Sequence, residues 1–535
     1  MVDETAPELD LAIVGAGFAG LYMLHRARMM GLRVRVFEAA SDVGGTWWWN
    51  TYPGARCDIE SVQYSYSWDE ELQQDWEWTE RFATQPEILS YINYVADKHD
   101  FRRDIKFETR VIGGDYDEAR HIWTLDEADG TQTTTRHVVL ATGCLSTARV
   151  PDFPGRDSFE GETYHTGAWP REGVDFSGKR VAVLGTGSSG IQLIPEVAKQ
   201  AAQLTVFQRT PNFSLPARNQ PLSGEYVRGW KSNYPELRRR AREETGSGTI
   251  YDFPTQSALE LSPEAREKEY RWRWEKGGTN FMHAFKDLVV DEDANKTAAE
   301  FVRARIREAV KDPETAEVLC PTHYPIFTNR ICVDSQYFET YNRDNVALVN
   351  LRKTPLESIE KKGLRTSDAL HEFDAIIYAT GFDAMTGAFT SINLRGRNGT
   401  TMHERWSEGP KTYLGLACNM LPNVFMVTGP GSPSVLSNVI VSIEQHVDLI
   451  SDILDAARKK GATEVEAGAE PEADWGGHVN DLANATLLPK AASWYMGANI
   501  PGKPRVFMPY IGVAKYRKKC DEIVDNDFSG FSFCS

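Results

Sequence analysis

The sequence predicts an α/β fold of two doubly wound, parallel-sheet units with a block of helices inserted in the second. Two observations predict the sheets. A short apolar run ending in glycine, a helical stretch and an alternating strand follow one another over 9–37, and the same succession returns over 179–207. A third observation predicts the insertion. From about 221 to 320 charged, helix-favouring runs such as Glu236-Leu-Arg-Arg-Arg-Ala-Arg-Glu243 dominate, and they read as solvated helix faces.

In the first unit, Leu9–Val14 reads as a buried strand that hands over to a helix through Gly15-Ala-Gly17-Phe-Ala-Gly20. Glycines are required at such a turn because a pyrophosphate must approach the backbone and rest on the helix N-terminus. Leu21–Met30 has helical spacing, Gly31 ends it, and Leu32–Phe37 alternates as a strand before Glu38. Glu38 falls 23 residues after Gly15, where a carboxylate can accept both hydroxyls of a ribose. The unit is therefore read as Rossmann-like and dinucleotide-binding.

Gly44-Gly45-Thr46-Trp47-Trp48-Trp49-Asn50 and Tyr52-Pro-Gly-Ala-Arg56-Cys57-Asp58 come next. They read either as a loop of hydrophobic anchors closed by a Pro-Gly turn, or as a wall against a planar cofactor with Asp58 close to it. Residues 84–98 read as a helix and 105–140 as a meander ending Ala141-Thr-Gly143. A second Ala-Thr-Gly ends a strand at Gly381. Paired endings suit a chain that leaves one domain and re-enters it.

In the second unit Lys179–Leu184 is the strand, Gly185-Thr186-Gly187-Ser188-Ser189-Gly190 the turn and Leu204–Phe207 the next strand. Pro195 should kink the helix between them or mark an early turn. Where the first unit has Glu38, this one has Gln208-Arg209-Thr210, with Arg209 lying 24 residues after Gly185. A carboxylate there would repel a 2′-phosphate, whereas Arg can grip one. The first site therefore reads as one for FAD or NAD and the second as one for NADPH.

Composition narrows the classes. A net charge of −17 with no basic stripe argues against a nucleic-acid role. Seven scattered cysteines, the closest two twelve apart, form no CxxC and argue against a zinc ribbon or a dithiol redox centre, so no metal is expected. Met1–Glu8 is acidic and lacks an apolar run, and no window reaches the roughly 18 apolar residues of a membrane helix. A cytoplasmic protein with no membrane partner is expected.

Between the two glycine-rich turns lies Phe159-Glu-Gly161-Glu-Thr-Tyr-His165-Thr-Gly-Ala-Trp169-Pro170. Two dinucleotide units joined by this stretch resemble the type I Baeyer–Villiger monooxygenases, single chains that use FAD and NADPH. That family's pattern, FxGxxxHxxxW followed by Pro or Asp, is met at every fixed position. The resemblance covers nearly the whole chain, through Gly45-Thr46-Trp47, Tyr52–Asp58, Gln208–Pro211, Arg330, Ala379–Asp383 and Ser493–Asn499. The loop Gly429–Asn438 is similar to that of the phenylacetone-type branch.

The resemblance implies a two-dinucleotide-binding-domain flavoprotein. Its FAD domain would span 1–143 and 384–535, its NADP domain 144–220 and 331–383, and its helical insertion 221–330. In that family NADPH-reduced flavin reacts with O2 to give a C4a-peroxide, which attacks a ketone, and the adduct rearranges to an ester or lactone. Arginine suits such chemistry because it stays cationic and offers a fixed fork of donors. Arg330 matches the family's essential arginine, and Asp58 the carboxylate that orients it.

By the same resemblance Gly45, Thr46, Trp47 and Tyr64 lie near the flavin. Gly185–Gly190, Arg209, Thr210 and Trp494 lie near NADP. Phe159, Gly161, His165 and Trp169 fall in an interdomain linker. Leu145, Val435, Leu436 and Phe507 are substrate-pocket candidates. Two positions depart from the family. Asn329 replaces a Lys that helps hold the 2′-phosphate, so a weakened preference for NADPH is expected, and Trp48 stands where Tyr is usual. The alternative is a flavin monooxygenase that oxidises nitrogen or sulfur, whose linker usually lacks the Trp-Pro ending.

Overall fold

The computed structural model describes residues 6–535, so the acidic stretch Met1–Glu8 read above lies largely outside them. The first sheet is built around the strand Leu9–Val14, whose last four residues are all buried because both of its faces are covered. It pairs in parallel with Val34–Phe37 on one side and Gln132–Leu140 on the other. Ile105–Lys106 extends the sheet beyond Val34–Phe37, and Val111–Asp117 and Ile122–Glu127 complete the antiparallel meander. Two strands arrive from far along the chain: Asn393–Arg395 joins Val111–Asp117, and Val424–Met426 joins Gln132–Leu140. The chain thus returns to its first sheet once the second is complete. The helix Val439–Lys460 returns with it, and its Val447, Ile450 and Leu454 share one core with Leu21, Met23 and Leu24 of the helix Phe18–Met29.

The second sheet is entirely parallel, in the order Val346–Asn350, Gln203–Gln208, Arg180–Leu184, Ala375–Tyr378, Glu162–His165. Its helix Ser188–Gln200 runs through Pro195 instead of ending there. The ring forfeits only the bond that an amide at 195 would have given the Ile191 carbonyl. The helices Gly224–Glu243, Pro263–Lys276, Glu292–Ala309 and Pro313–Leu319 follow. They do not form a lobe with its own interior, because Ala298, Phe301 and Val302 share a core with Val181, Val183 and Ile194 of the second unit. The strand Ser214–Pro216, before these helices, pairs with Cys332–Asp334, after them. That short ladder closes the helical excursion and sets the position of Arg330, two residues before its second strand.

Both nucleotide-type turns are tight for a stated reason. A Cβ on Gly20 would lie 1.8 Å from the Gly15 carbonyl oxygen, and one on Gly190 would lie 2.4 Å from that of Gly185. Gly187 is different, since its Cβ would meet nothing within 4 Å. Gly20→Ala is therefore expected to destabilise the protein by about 1–3 kcal/mol, as overpacking does. Thermal melts should show a lower midpoint for Gly20→Ala and an unchanged one for Gly187→Ala.

Candidate active site

A cavity of about 800 Å³ lies at the C-terminal ends of Leu9–Val14 and Val34–Phe37 and is lined by both units. Gly15, Gly17, Glu38, Gly45, Thr46, Trp47, Asp58 and Tyr64 contribute from the first, and Ser188, Ser189, Arg330 and Trp494 complete it. Gly17 and Gly45 face each other so closely that a Cβ on Gly45 would lie 2.9 Å from the Gly17 Cα. Two bare backbones thus form one side of a narrow slot. Glu38 is buried, and its carboxylate accepts the amides of Ala16 at 2.6 Å and Ala40 at 2.8 Å. Burial raises its pKa, and those amides oppose the rise. A slot without side chains, ending at a carboxylate just past the second strand, fits the pyrophosphate and ribose of a dinucleotide.

Thr46–Trp49 forms one helical turn rather than the loop read from the sequence. Gly45 makes the turn possible at φ +54°, a conformation natural to glycine. Trp47 is buried and donates its indole N–H to the Tyr64 hydroxyl at 3.2 Å. Trp47 and Trp49 line the cavity, but Trp48 does not. Trp48 lies under the Arg171 guanidinium, 3.6 Å from its ring centroid, and its carbonyl accepts Arg171 Nη1 at 2.9 Å. Trp48, where Tyr is the usual residue, therefore touches Arg171, just past the central motif, rather than the first cavity.

Asp58 follows a short pairing of 55–57 with 83–85, in which Gln85 donates to the Ala55 carbonyl and Cys57 to that of Ala83. It meets Arg330 across a separation of 272 residues. Arg330 Nε lies 3.0 Å from Asp58 Oδ2, and Nη2 lies 2.7 and 2.6 Å from the two carboxylate oxygens. Nη1 donates to the Val435 carbonyl at 2.6 Å. Burial disfavours the guanidinium charge, but the Asp58 carboxylate outweighs it and holds Arg330 firmly protonated. Tyr495 is buried beside the pair. Burial pushes its pKa up to about 12, with Arg330 opposing. The thiols of Cys144 and Cys332 are pushed up to about 11, chiefly by burial, so they are neutral and not nucleophiles.

A second cavity, of about 660 Å³, opens where Gln208 and Asn350 sit side by side on neighbouring strands. Arg209, Arg352 and Lys353 line it, and all three are exposed. Arg352 Nε donates to the Arg209 carbonyl at 2.7 Å, and its Nη2 approaches the Thr210 hydroxyl at 3.5 Å. Among the described residues none of the three cations is ion-paired. Asn329 does not line this cavity. Thr186 ties the glycine turn to the segment, donating its hydroxyl to the Thr210 carbonyl at 3.2 Å. Gly185, Thr186, Gly187, Gly190 and Thr210 lie outside both linings.

The central motif forms the edge of the second sheet. Glu162–His165 pairs with Ala375–Tyr378. Phe159 packs on Gly161, where a Cβ would lie 2.6 Å from the Phe159 ring and from the Asp374 carbonyl. His165 Nδ1 accepts the Gly167 amide at 2.9 Å, which leaves Nε2 to donate to the Arg149 carbonyl at 3.2 Å. Trp169 is buried against Tyr164 and Phe176, and its carbonyl accepts the Thr51 hydroxyl from the first unit. No member of the motif reaches Arg330.

Of the pocket candidates, Leu145 and Val435 line the first cavity, and Leu436 and Phe507 do not. Phe507 is 3% exposed within the core of the first unit. Backbone bonds from Met508 to Tyr495 and from Gly431 to Met508 hold its segment against the interior. Leu436 packs partly buried on the same core. The residues missed from sequence are Tyr495, Arg352, Lys353 and the Val435 carbonyl. Tyr495 stood inside the Ser493–Asn499 motif. The basic pair directly after a strand edge was a usable signal for Arg352 and Lys353, whereas a backbone carbonyl leaves no signal at all.

A family model described as flavin-binding monooxygenase-like matches residues 9–219. The Baeyer–Villiger monooxygenase of Pseudooceanicola batsensis is 41% identical over 529 residues, covering 98% of this chain and 96% of the relative. The chain belongs to the Baeyer–Villiger monooxygenases. The phenazine N-monooxygenase of Lysobacter antibioticus is 42% identical over 539 residues, covering 99% of this chain and 98% of the relative. The solved structure of an oxidised steroid monooxygenase bound to NADP superposes with a TM-score of 0.93 at 48% identity, covering 98% and 99% of the two chains. The protein is thus an NADPH-dependent flavin monooxygenase with FAD and NADP(H) as cofactors, and no described helix is long and apolar enough to cross a membrane.

Asp334 ends the ladder that sets the position of Arg330. It is buried and accepts the Ser214 hydroxyl at 2.6 Å. Burial raises its carboxyl pKa to about 6. The folded state therefore binds more protons than the unfolded one between about pH 4 and 6, and stability falls as pH rises through that window. Asp334→Asn removes this loss. Thermal melts should show the variant gaining on the wild type from about pH 4 to 6, with a constant difference above.

Proposed function

We propose that this enzyme inserts one oxygen atom of O2 beside the carbonyl of a small-molecule ketone, giving an ester or lactone. Residues 1–143 and 384–535 would hold FAD, and 144–220 with 331–383 would hold NADPH. The Arg330–Asp58 pair, set in a cavity that both units line, carries this reading. Bound FAD supplies oxygen activation and bound NADPH the hydride. Asp58 fixes the Nε and Nη2 edge of Arg330, so Nη1 is presented with one N–H on the Val435 carbonyl and one available to a substrate oxygen. A permanent cation held there stabilises negative charge as it develops on that oxygen. Trp494, on the cavity wall, is assigned to the nicotinamide side.

Arg209 is assigned to the 2′-phosphate, with Arg352 and Lys353 beside it. The stretch from Phe159 to Trp169, tied to the first unit through Thr51 and through Arg171 on Trp48, is assigned as the interdomain linker. A cytoplasmic location is supported by seven free cysteines and the need for NADPH. A second reading, oxygenation of nitrogen, is favoured by the similarity to the phenazine N-monooxygenase. Product mass from a panel of ketones and aromatic amines decides between them, and N-oxides without esters would overturn the ketone reading.

Arg330→Ala is expected to leave flavin reduction by NADPH largely intact and to abolish ester formation, as read by stopped-flow absorbance beside product analysis. A parallel collapse of reduction would reject the assignment. Arg209→Ala and Arg352→Ala should each cost about 1.5–3 kcal/mol of NADPH affinity, as loss of a charge-assisted contact does, and leave KM for NADH nearly unchanged. Equal rises for both nucleotides would reject the phosphate assignment.

A further inference from the structure

The turn that precedes Asp58 lies directly on the second unit. Gly54 takes φ +84°, and a Cβ on it would lie 2.4 Å from the Gln192 carbonyl oxygen and 3.1 Å from the Glu196 side chain. The turn therefore rests on successive turns of the helix Ser188–Gln200. The Gln192 side chain joins both legs of it. The buried Tyr52 hydroxyl donates to Gln192 Oε1 at 2.8 Å, and Gln192 Nε2 donates to the Arg56 carbonyl at 3.1 Å. A carbonyl can only accept, so the amide nitrogen must face Arg56 and its oxygen must face Tyr52. Burial pushes the Tyr52 phenol up to about 12, which keeps it a donor. Packing alone would be met by a methionine of the same length, but only an amide serves both partners.

The contact lies two residues from Asp58. On its other side the same stretch is held by the first unit, where Cys57 donates to the Ala83 carbonyl at 3.1 Å and Gln85 to that of Ala55 at 2.9 Å. Arg330 is set separately, by the ladder between Ser214–Pro216 and Cys332–Asp334. Asp58 and Arg330 thus reach each other from different supports. Their three bonds, between 2.6 and 3.0 Å, form a fork that tolerates little displacement. Tyr52, Arg56 and Gln192 all line the first cavity. The amide therefore stands between the carboxylate and the helix that follows the turn Gly185–Gly190.

We propose that Gln192 is a positioning residue for oxygen insertion. Its amide fixes Asp58, and through Asp58 the Nη1 edge of Arg330, in register with the second unit. The inference rests on the assignment of Arg330 to the substrate oxygen. Gln192 acts through the Arg56 carbonyl and the turn that carries Asp58, and it takes no part in hydride delivery. With the amide in place, ketone, O2, NADPH and one proton give ester, water and NADP+. Without it the carboxylate drifts and Arg330 loses its aim, while the nucleotide sites stay. A larger share of turnovers then ends with NADPH, O2 and one proton giving NADP+ and hydrogen peroxide.

The test uses the FAD-loaded enzyme and Gln192→Met, which keeps the length of the side chain and removes both bonds. Hydrogen exchange read by mass spectrometry should show the amides of Ala55 and Cys57 exchanging about fivefold faster, the factor that loss of one hydrogen bond brings. Peptides of the strand Leu9–Val14 should keep the wild-type rate. Stopped-flow reduction by NADPH should stay within about twofold of wild type, and the ratio of hydrogen peroxide to ester should rise about fivefold. Tyr52→Phe removes one bond and keeps the ring, so it should move both readouts the same way by a smaller factor, and it serves if Gln192→Met folds poorly. In the Gln192→Met background it should add nothing. Additive effects of the two substitutions would overturn the inference. So would a collapse of reduction with exchange at 55 and 57 unchanged, which would make Gln192 a nucleotide contact. An unchanged ratio of peroxide to ester, where the wild type makes ester, overturns this inference alone. A wild type that makes no ester from any ketone overturns the ketone reading as well.

Discussion

Arg330 and Asp58 stand 272 residues apart in sequence, and the fold is arranged so that they meet. Taking either charge out of water is costly unless the other is there to receive it, and here the contact is a fork-to-carboxylate match with little freedom. Each partner arrives by a separate device. Asp58 is delivered by backbone pairing with the start of the helix Gln85–Lys98, and Arg330 by the ladder between Ser214–Pro216 and Cys332–Asp334. The helical insertion lies between the two strands of that ladder. Its packing on the core of the second unit therefore bears directly on where the guanidinium points.

The same insertion reaches the first unit. Arg238, on the helix Gly224–Glu243, is buried and donates to the carbonyls of Val62 and Gln63 and to the Ser65 hydroxyl. Those residues flank Tyr64 on the cavity wall. A buried guanidinium satisfied by backbone oxygens holds a turn more rigidly than an apolar contact would, because its donors have fixed directions. The wall of the first cavity is thus held from the helical block, and the arginine facing it is set by the strands that bracket that block.

Sequence alone disclosed the parts whose chemistry is local. A glycine that must let a backbone approach, a carboxylate at the end of a second strand and an arginine replacing it each act through their own side chain or its absence, and each is readable at its position. The pairing of Arg330 with Asp58 was legible only through resemblance, since nothing in either neighbourhood foretells the other. The Val435 carbonyl, which receives Nη1, is invisible in principle because every residue has one. Leu436 and Phe507 misled because loop proximity says nothing of which face of the segment turns inward, and the backbone bonds of Met508 decide that. Arg352, just past the strand Val346–Asn350, is seen to neighbour Arg209 only once the sheet order is known.

The central motif shows a different kind of legibility. Phe159, Gly161, His165 and Trp169 identify the family, yet each is committed to structure: a ring packed on bare backbone, a close approach, a fixed imidazole tautomer and a buried ring. Their value lies in what they join. Trp169 receives Thr51 from the loop that carries the tryptophans, and the next turn sends Arg171 over Trp48. A cation held 3.6 Å from an indole centroid, with a hydrogen bond to the carbonyl of the same residue, resists sliding as well as separation. The residue between Trp47 and Trp49, both of which line the cavity, is thereby held to the stretch that follows the central motif. The motif is tied to the cavity wall through this contact, and Trp48, by keeping its ring under Arg171, makes it.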